Sequence, residues 1–112
     1  MNALVSLSNP SQNYYEETEI LNIDDRSCLN YVDSKGVQCE ICVYDEGLCL
    51  FRQTNEYLIE LHLIDDPYGK ITSAEGIIKF DIKVLDFKSN SDILIMIYLI
   101  DDEERIIEIK YY

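Results

Sequence analysis

The feature that most constrains the fold is the alternation of apolar and polar residues along most of the chain. In "YLIELHLI", Ile59 and Leu61 fall on one side of an extended backbone, whereas Glu60 and His62 fall on the other. Successive side chains of a β-strand point to opposite faces, so a period of two is typical of strands. The same pattern occurs in "QCEICVY", "GIIKFDIKVLDF" and "RIIEIKYY". The chain is therefore predicted to consist mainly of strands.

The breaks between the alternating stretches contain turn-forming residues. All four glycines lie there, in "DSKG", "DEG", "DPYG" and "AEG". Glycine adopts positive φ, aspartate starts turns and proline fixes its own φ. Short strands separated by such turns predict an all-β sandwich or barrel. Because 112 residues suit one domain, we expect a single all-β domain over residues 1–112.

Three segments leave the pattern less clear. Residues 92–100 are apolar on both faces, as in a strand covered on both sides by a neighbouring segment or by a partner subunit. This leaves a monomer and a homodimer open. Residues 10–21 fit a short helix after Asn9 or a strand near 15–23, and we favour the strand. Asp101 to Glu104 is predicted to be a four-residue hairpin connection of solvated acids.

The charge of the chain limits its partners. There are 22 acidic and 9 basic residues, which gives a net charge of −13. Such a chain is repelled by nucleic acids and by anionic membrane surfaces, so neither is an expected partner. The start of the sequence does not resemble a signal peptide, and no apolar run approaches the length of a membrane span. We therefore expect a cytoplasmic protein with reduced cysteines.

The same charge supports an alternative function. An acidic surface can block a basic site on a partner protein, as in an inhibitor or immunity-type protein that imitates nucleic acid. The acids that would form this surface lie in predicted turns. They are Asp24, Asp25, Asp45, Glu46, Asp65, Asp66, Asp101, Asp102, Glu103 and Glu104.

Residues that could support catalysis or bind a metal do not form a recognisable motif. Cys39 and Cys42 are spaced C-x-x-C, but residues i and i+3 of a strand point to opposite faces and cannot converge on one metal ion. We expect the cysteines to be small buried residues. His62 shares a face with Glu60 and could act as a base, yet no nucleophile lies nearby in the sequence. We predict no enzyme activity, no cofactor and no metal site.

Arg52 is the polar residue most suggestive of a binding site. In "EGLCLFRQ" it follows Leu48 and Leu50 on the face predicted to be buried. A buried guanidinium must be paired. It could hold an anionic ligand, form a structural ion pair with a carboxylate, or reach solvent at the strand end. The apolar residues predicted to line an interior pocket with it are Ile41, Val43, Leu50, Ile59, Leu61, Phe80, Ile82, Ile97, Ile107 and Ile109.

The order of these segments is similar to that of a known family. A turn with "YVDSKG", the strands "CEICVYDEGLCLFR" and "EGIIKFDIKV", then "ILIMIYLI" and a final "ERIIEIKYY" resemble the YwiB-like family over roughly residues 27–112. These are small bacterial proteins of uncharacterised function with a calycin, or lipocalin-like, β-barrel. The resemblance implies a single antiparallel meander barrel of about eight strands whose interior takes a small apolar or amphipathic molecule. It implies no established enzyme activity. Our main expectation is a non-enzymatic cytoplasmic barrel that binds a small apolar or anionic ligand in its interior.

Overall fold

The chain consists of β-strands joined by short turns. We describe it from a computed structural model that covers residues 1–112. The eleven strands are β1 (Ala3–Asn9), β2 (Tyr14–Ile20), β3 (Cys28–Val32), β4 (Gln38–Tyr44), β5 (Gly47–Gln53), β6 (Tyr57–Leu63), β7 (Tyr68–Ser73), β8 (Gly76–Asp81), β9 (Lys83–Ser89), β10 (Ile93–Ile100) and β11 (Glu103–Tyr111). A single turn of 3-10 helix spans Pro10–Gln12. No helix has the length and apolar character needed to cross a membrane.

The strands form two antiparallel sheets in two compact units. Residues 25–82 contain a six-stranded sheet in the order β3-β4-β5-β6-β7-β8. Residues 1–24 and 83–112 contain a five-stranded sheet in the order β2-β1-β11-β10-β9. The prediction of an all-β antiparallel fold is confirmed. The count of about eight strands was too low, and the one continuous meander is replaced by two sheets, neither of which closes on itself.

The six-stranded sheet has one apolar face. Leu29, Ile41, Leu50 and Leu61 are register partners across β3 to β6, and each is at most 6% exposed. Burying a side chain of this size contributes about 1.5–3 kcal/mol. Gly69 on β7 is the register partner of Leu61 and continues this row. The ring of Phe80 occupies the space that a β-carbon at Gly69 would need, so a larger residue would not fit there. The alternation in "YLIELHLI" and "QCEICVY" therefore predicted the correct faces.

The five-stranded sheet also has one buried face, but the sequence did not indicate which side chains of β10 point to that face. Met96 pairs with Ile107 and Leu94 pairs with Ile109, and all four are fully buried. Ile97 pairs with Ile106 and therefore lies on the opposite face, where it is half-buried. Its assignment to the same interior as Ile107 was wrong. Because β10 is apolar at every position, alternation carries no information about which face is buried.

The stretch "GIIKFDIKVLDF" forms two strands rather than one. It divides at Ile82, which is buried and belongs to neither strand, into β8 of the six-stranded sheet and β9 of the five-stranded sheet. The backbone N–H of Ile82 donates to the carbonyl of Pro67. Uninterrupted alternation thus concealed the point at which the chain changes sheets.

The N-terminal segment forms a hairpin of β1 and β2. The 3-10 turn and Asn13, which adopts a left-handed conformation, join the two strands. The preferred strand assignment near residues 15–23 is therefore confirmed for residues 15–20, whereas residues 21–23 lie outside the strand. Strand β1 was not predicted, although "ALVSLSN" alternates strictly between buried and half-buried residues.

The acidic run at 101–104 forms a tighter turn than predicted. Ile100 pairs with Glu103, so only Asp101 and Asp102 join β10 to β11. Both have positive φ, 51° and 62°, as a two-residue type I′ hairpin requires. Glu103 is not simply solvated, because it accepts hydrogen bonds from Gln12 Nε2 at 3.1 Å and Asn9 Nδ2 at 3.4 Å. This carboxylate attaches the N-terminal 3-10 turn to the hairpin.

Candidate functional site

Arg52 lies on the apolar face of the six-stranded sheet, in the row next to the core. We call this the Arg52 row: its register partners are Tyr31, Cys39, Arg52, Ile59, Ile71 and Ile78. Cys39 is only 5% exposed, Arg52, Ile59 and Ile71 are half-buried, and Ile78 is 64% exposed. The side chain of Arg52 is 22% exposed. The row therefore leads from the closed core to an accessible apolar edge.

Asp33 fixes the position of Arg52. The Asp33 side chain is fully buried, and its Oδ2 accepts a hydrogen bond from Arg52 Nη2 at 2.7 Å. Its Oδ1 accepts the backbone N–H groups of Lys35 and Val37, both at 2.9 Å. Arg52 therefore forms the structural ion pair with a carboxylate that was one of its predicted roles. This ion pair joins the turn after β3 to the middle of the sheet.

Cys39 lies next to Arg52 in the row and carries a free thiol. Burial raises the pKa of Cys39, and the positive charge of Arg52 opposes this increase only partly. The thiol is therefore protonated at neutral pH and behaves as the small buried residue that the sequence predicted.

The residues predicted to line a pocket with Arg52 are only partly brought together. Those on its own face of the six-stranded sheet are Ile41, Val43, Leu50, Ile59, Leu61 and Phe80. Ile82 lies at the break after β8. Ile107 and Ile109 belong to the buried face of the five-stranded sheet, and Ile97 lies on the other face of that sheet.

The turns near Arg52 form a polar depression at one end of the six-stranded sheet. Its volume is about 390 Å³, and Lys35, Gln38, Gln53 and Asn55 are among the residues that line it. A second depression, of about 320 Å³, shares Gln38 and Gln53 with the first. This end of the sheet therefore offers amide groups and a lysine to a polar ligand.

The opposite end of the six-stranded sheet is acidic. The strand directions bring together the turns that hold Asp25, Asp45 with Glu46, and Asp65 with Asp66. The backbone N–H of Ser27 donates to Asp25 at 2.8 Å, and this bond lowers the pKa of the Asp25 carboxyl. The turn at 101–104 belongs to the five-stranded sheet and is not one of these turns.

A second row crosses the polar face of the six-stranded sheet. We call it the Cys49 row: its register partners are Cys28, Cys42, Cys49, His62, Tyr68 and Asp81. Cys28 and Cys42 form a disulfide, which contradicts the expectation that all four cysteines are reduced. The sequence did not reveal this pair, because the two residues are 14 positions apart.

Cys49 and His62 are neighbours in this row. Cys49 Sγ lies 3.6 Å from His62 Nδ1, and His62 Nε2 lies 3.5 Å from Glu60 Oε1. The imidazole stacks on the ring of Tyr68 with centroids 4.6 Å apart. The shared face of His62 and Glu60 was predicted, but the free thiol of Cys49 beside His62 was missed. The available signal was the position of Cys49 between Leu48 and Leu50, on the face opposite to these leucines.

No three histidine, cysteine or acidic side chains are grouped in a way that could hold a metal ion. Comparisons with known protein families, with curated proteins and with solved structures give no match.

Proposed function

We propose that this chain is a non-enzymatic, cytoplasmic binding protein of the YwiB-like, calycin type. Its ligand would be a small amphipathic anion held on the apolar face of the six-stranded sheet. The observation that carries this proposal is the Arg52 row, in which a guanidinium is followed by Ile59, Ile71 and Ile78 in register. The order of segments over residues 27–112 supports the family assignment.

The proposed head-group site includes Arg52. A guanidinium carries several N–H donors in a planar fork and suits a carboxylate or phosphate. Asp33 holds this fork in place at 2.7 Å, so little side-chain entropy is lost when an anion binds. Lys35 lies in the turn that Asp33 organises and adds positive charge at the same end of the sheet.

The proposed tail site is the outer part of the Arg52 row. Ile59 and Ile71 are half-buried and Ile78 is 64% exposed, so this part of the face can still lose apolar surface to a ligand. Each buried methylene contributes about 0.8 kcal/mol. The affinity for a ligand with a given head group should therefore increase with the length of its alkyl chain.

The test compares two probes with the same tail and opposite charge. Decanoate and decylammonium would be titrated into the purified protein by isothermal calorimetry. Decanoate is expected to bind at least tenfold more tightly, because a hydrogen bond to a charged group contributes about 1.5–3 kcal/mol. The variant Arg52→Met should remove this preference. Equal affinity of both probes for the native protein would contradict the proposed head-group site.

Neighbouring residues on β7 provide a matched pair for the tail site. Ile71→Asn places an amide in the Arg52 row, whereas Thr72→Asn places one on the polar face. Ile71→Asn should weaken decanoate binding about tenfold, and Thr72→Asn should leave it unchanged. Similar effects of the two substitutions would place the tail elsewhere. Native mass spectrometry of the purified protein would show any molecule that it retains.

The acidic end of the six-stranded sheet supports a second candidate function. Three turns bring Asp25, Asp45, Glu46, Asp65 and Asp66 to one end, which suits a basic site on a partner protein. A decalysine peptide serves as the probe. Neutralising Asp45 and Asp65 as amides should weaken its binding in low salt, and the control Glu56→Gln with Glu75→Gln, which removes the same number of charges, should not. Equal losses in both variants would show that only net charge matters.

A further inference from the structure

Cys42 is the middle member of three cysteines on neighbouring strands. It is in register with Cys28 on one side and with Cys49 on the other. The Cys28–Cys42 pair has its Cα atoms 4.1 Å apart, and the adjacent N–H of Val43 bonds to the carbonyl of Ser27. This is the pattern of a non-hydrogen-bonded pair.

Geometry allows Cys42 to pair with either neighbour. In an antiparallel sheet, a residue that forms a non-hydrogen-bonded pair on one side forms a hydrogen-bonded pair on the other. The Cα atoms of Cys42 and Cys49 are therefore expected about 5.5 Å apart, which is within the range of a disulfide. Cys28 and Cys49 are two strands apart, at about 10 Å, and cannot bond directly.

We propose that these three cysteines form a thiol–disulfide switch in which Cys49, with His62 as its base, exchanges with the Cys28–Cys42 disulfide. His62 Nδ1 accepts the proton of the Cys49 thiol. The Cys49 sulfur attacks Cys42 Sγ, the bond between Cys28 and Cys42 breaks, and a bond between Cys42 and Cys49 forms. Cys28 leaves as a thiolate and takes a proton from water, so the step needs no external oxidant or reductant.

The surroundings favour Cys28 as the leaving group. Glu40 Oε1 lies 3.4 Å from Cys42 Sγ, and this negative charge would disfavour a thiolate at Cys42. Cys42 is also buried, whereas Cys28 is exposed on the edge strand β3. A thiolate leaves faster where its pKa is lower, which favours the exposed position.

The contacts of His62 suit a base. Glu60 lies at its Nε2, so the ring can present Nδ1 to Cys49, and the stacked Tyr68 and the edge of Phe51 hold the ring in place. Burial raises the pKa of the Cys49 thiol, so its attack requires a base that removes the proton. The other charged groups on this face of the neighbouring strands are Glu40, Lys70, Lys79 and Asp81.

The exchange would change the attachment of β3. This strand has only one neighbour in the sheet, and the disulfide links it covalently to that neighbour. After the exchange the crosslink joins β4 and β5, and β3 keeps only its hydrogen bonds and carries an exposed thiol. Disulfides in the cytoplasm are typically transient, catalytic or redox-sensing. A switch of this type therefore agrees with the cytoplasmic location that we propose, although it does not depend on the ligand site.

Alkylation of the folded protein tests the exchange. The oxidised, full-length protein would be incubated with iodoacetamide, and the product digested with trypsin and a protease that cuts after acidic residues. Lys35, Glu40 and Asp45 separate the four cysteines. We expect the label on Cys28 and a disulfide between Cys42 and Cys49, because the exposed leaving thiol is trapped. A label on Cys49 with the Cys28–Cys42 disulfide intact would overturn the proposal.

Variants separate the role of each residue. His62→Gln should slow the labelling of Cys28 at least tenfold at neutral pH and approach the native rate at high pH. Glu60→Gln should shift the pH profile with a smaller loss, and Cys39→Ser, on the other face, should change neither. The variant Cys28→Ser, treated with glutathione disulfide, should form the Cys42–Cys49 bond. Failure of that bond to form in a folded variant would show that the two sulfurs cannot meet.

Discussion

The contact between Asp33 and Arg52 leads to the sharpest prediction about stability. Asp33 is fully buried and its carboxylate accepts three hydrogen bonds, from the backbone N–H groups of Lys35 and Val37 and from Arg52 Nη2. Asp33→Ala removes all three and leaves the charge of Arg52 without this carboxylate. Removing one partner of a buried ion pair costs about 3–5 kcal/mol. We therefore expect the free energy of unfolding to fall by about that amount.

Equilibrium unfolding in urea, followed by circular dichroism, measures this loss. Asp33→Asn keeps an oxygen for Lys35 and Val37, but its amide nitrogen cannot accept the hydrogen bond from Arg52, so it should cost about 1.5–3 kcal/mol. Glu56→Ala, in an exposed turn of the same sheet end, is the control and should stay within about 0.5 kcal/mol. A loss below about 1 kcal/mol for Asp33→Ala would refute the structural importance of the pair.

Three further predictions concern other parts of the chain. Gly47→Ala should destabilise by about 1–3 kcal/mol in the same urea assay, because its β-carbon would overlap the carbonyl oxygen of Leu63. Glu103→Ala should cost about 1 kcal/mol, since it loses hydrogen bonds from Gln12 and Asn9; its neighbour Glu104→Ala should be neutral. Glu19 accepts a hydrogen bond from the Tyr112 hydroxyl and raises the pKa of that phenol. Glu19→Gln should therefore lower the pKa of Tyr112 in an ultraviolet titration corrected with Tyr112→Phe.

Local patterns predicted the strands and their buried faces well. The alternation around Ile41 and Leu61 gave the correct faces because one face is buried and the other is solvated. The same reasoning could not place Ile97, because β10 is apolar on both faces. It also could not locate the change of sheet at Ile82, where the alternation continues without a break.

Contacts between distant residues explain most of what the sequence did not reveal. Arg52 was correctly predicted to lie on the apolar face of its strand. Its partner Asp33 is 19 residues away in the sequence and was interpreted only as a turn residue. Cys49 and His62 are 13 residues apart and meet only because β5 and β6 pair in this register. Such pairs depend on strand register, which a single sequence specifies only indirectly.

The topology of the five-stranded sheet has a consequence for the order of folding. Strands β3 to β8 pair only with neighbours in the sequence, whereas β1 must pair with β11 near the other terminus, for example Val5 with Ile109. Local pairings form faster than distant ones because less loop entropy is lost. During synthesis the six-stranded meander can therefore assemble before β11, the strand that pairs with β1, has left the ribosome. Over that interval Val5 and Leu7 face water, and a chaperone that shields short apolar strands would act at this stage.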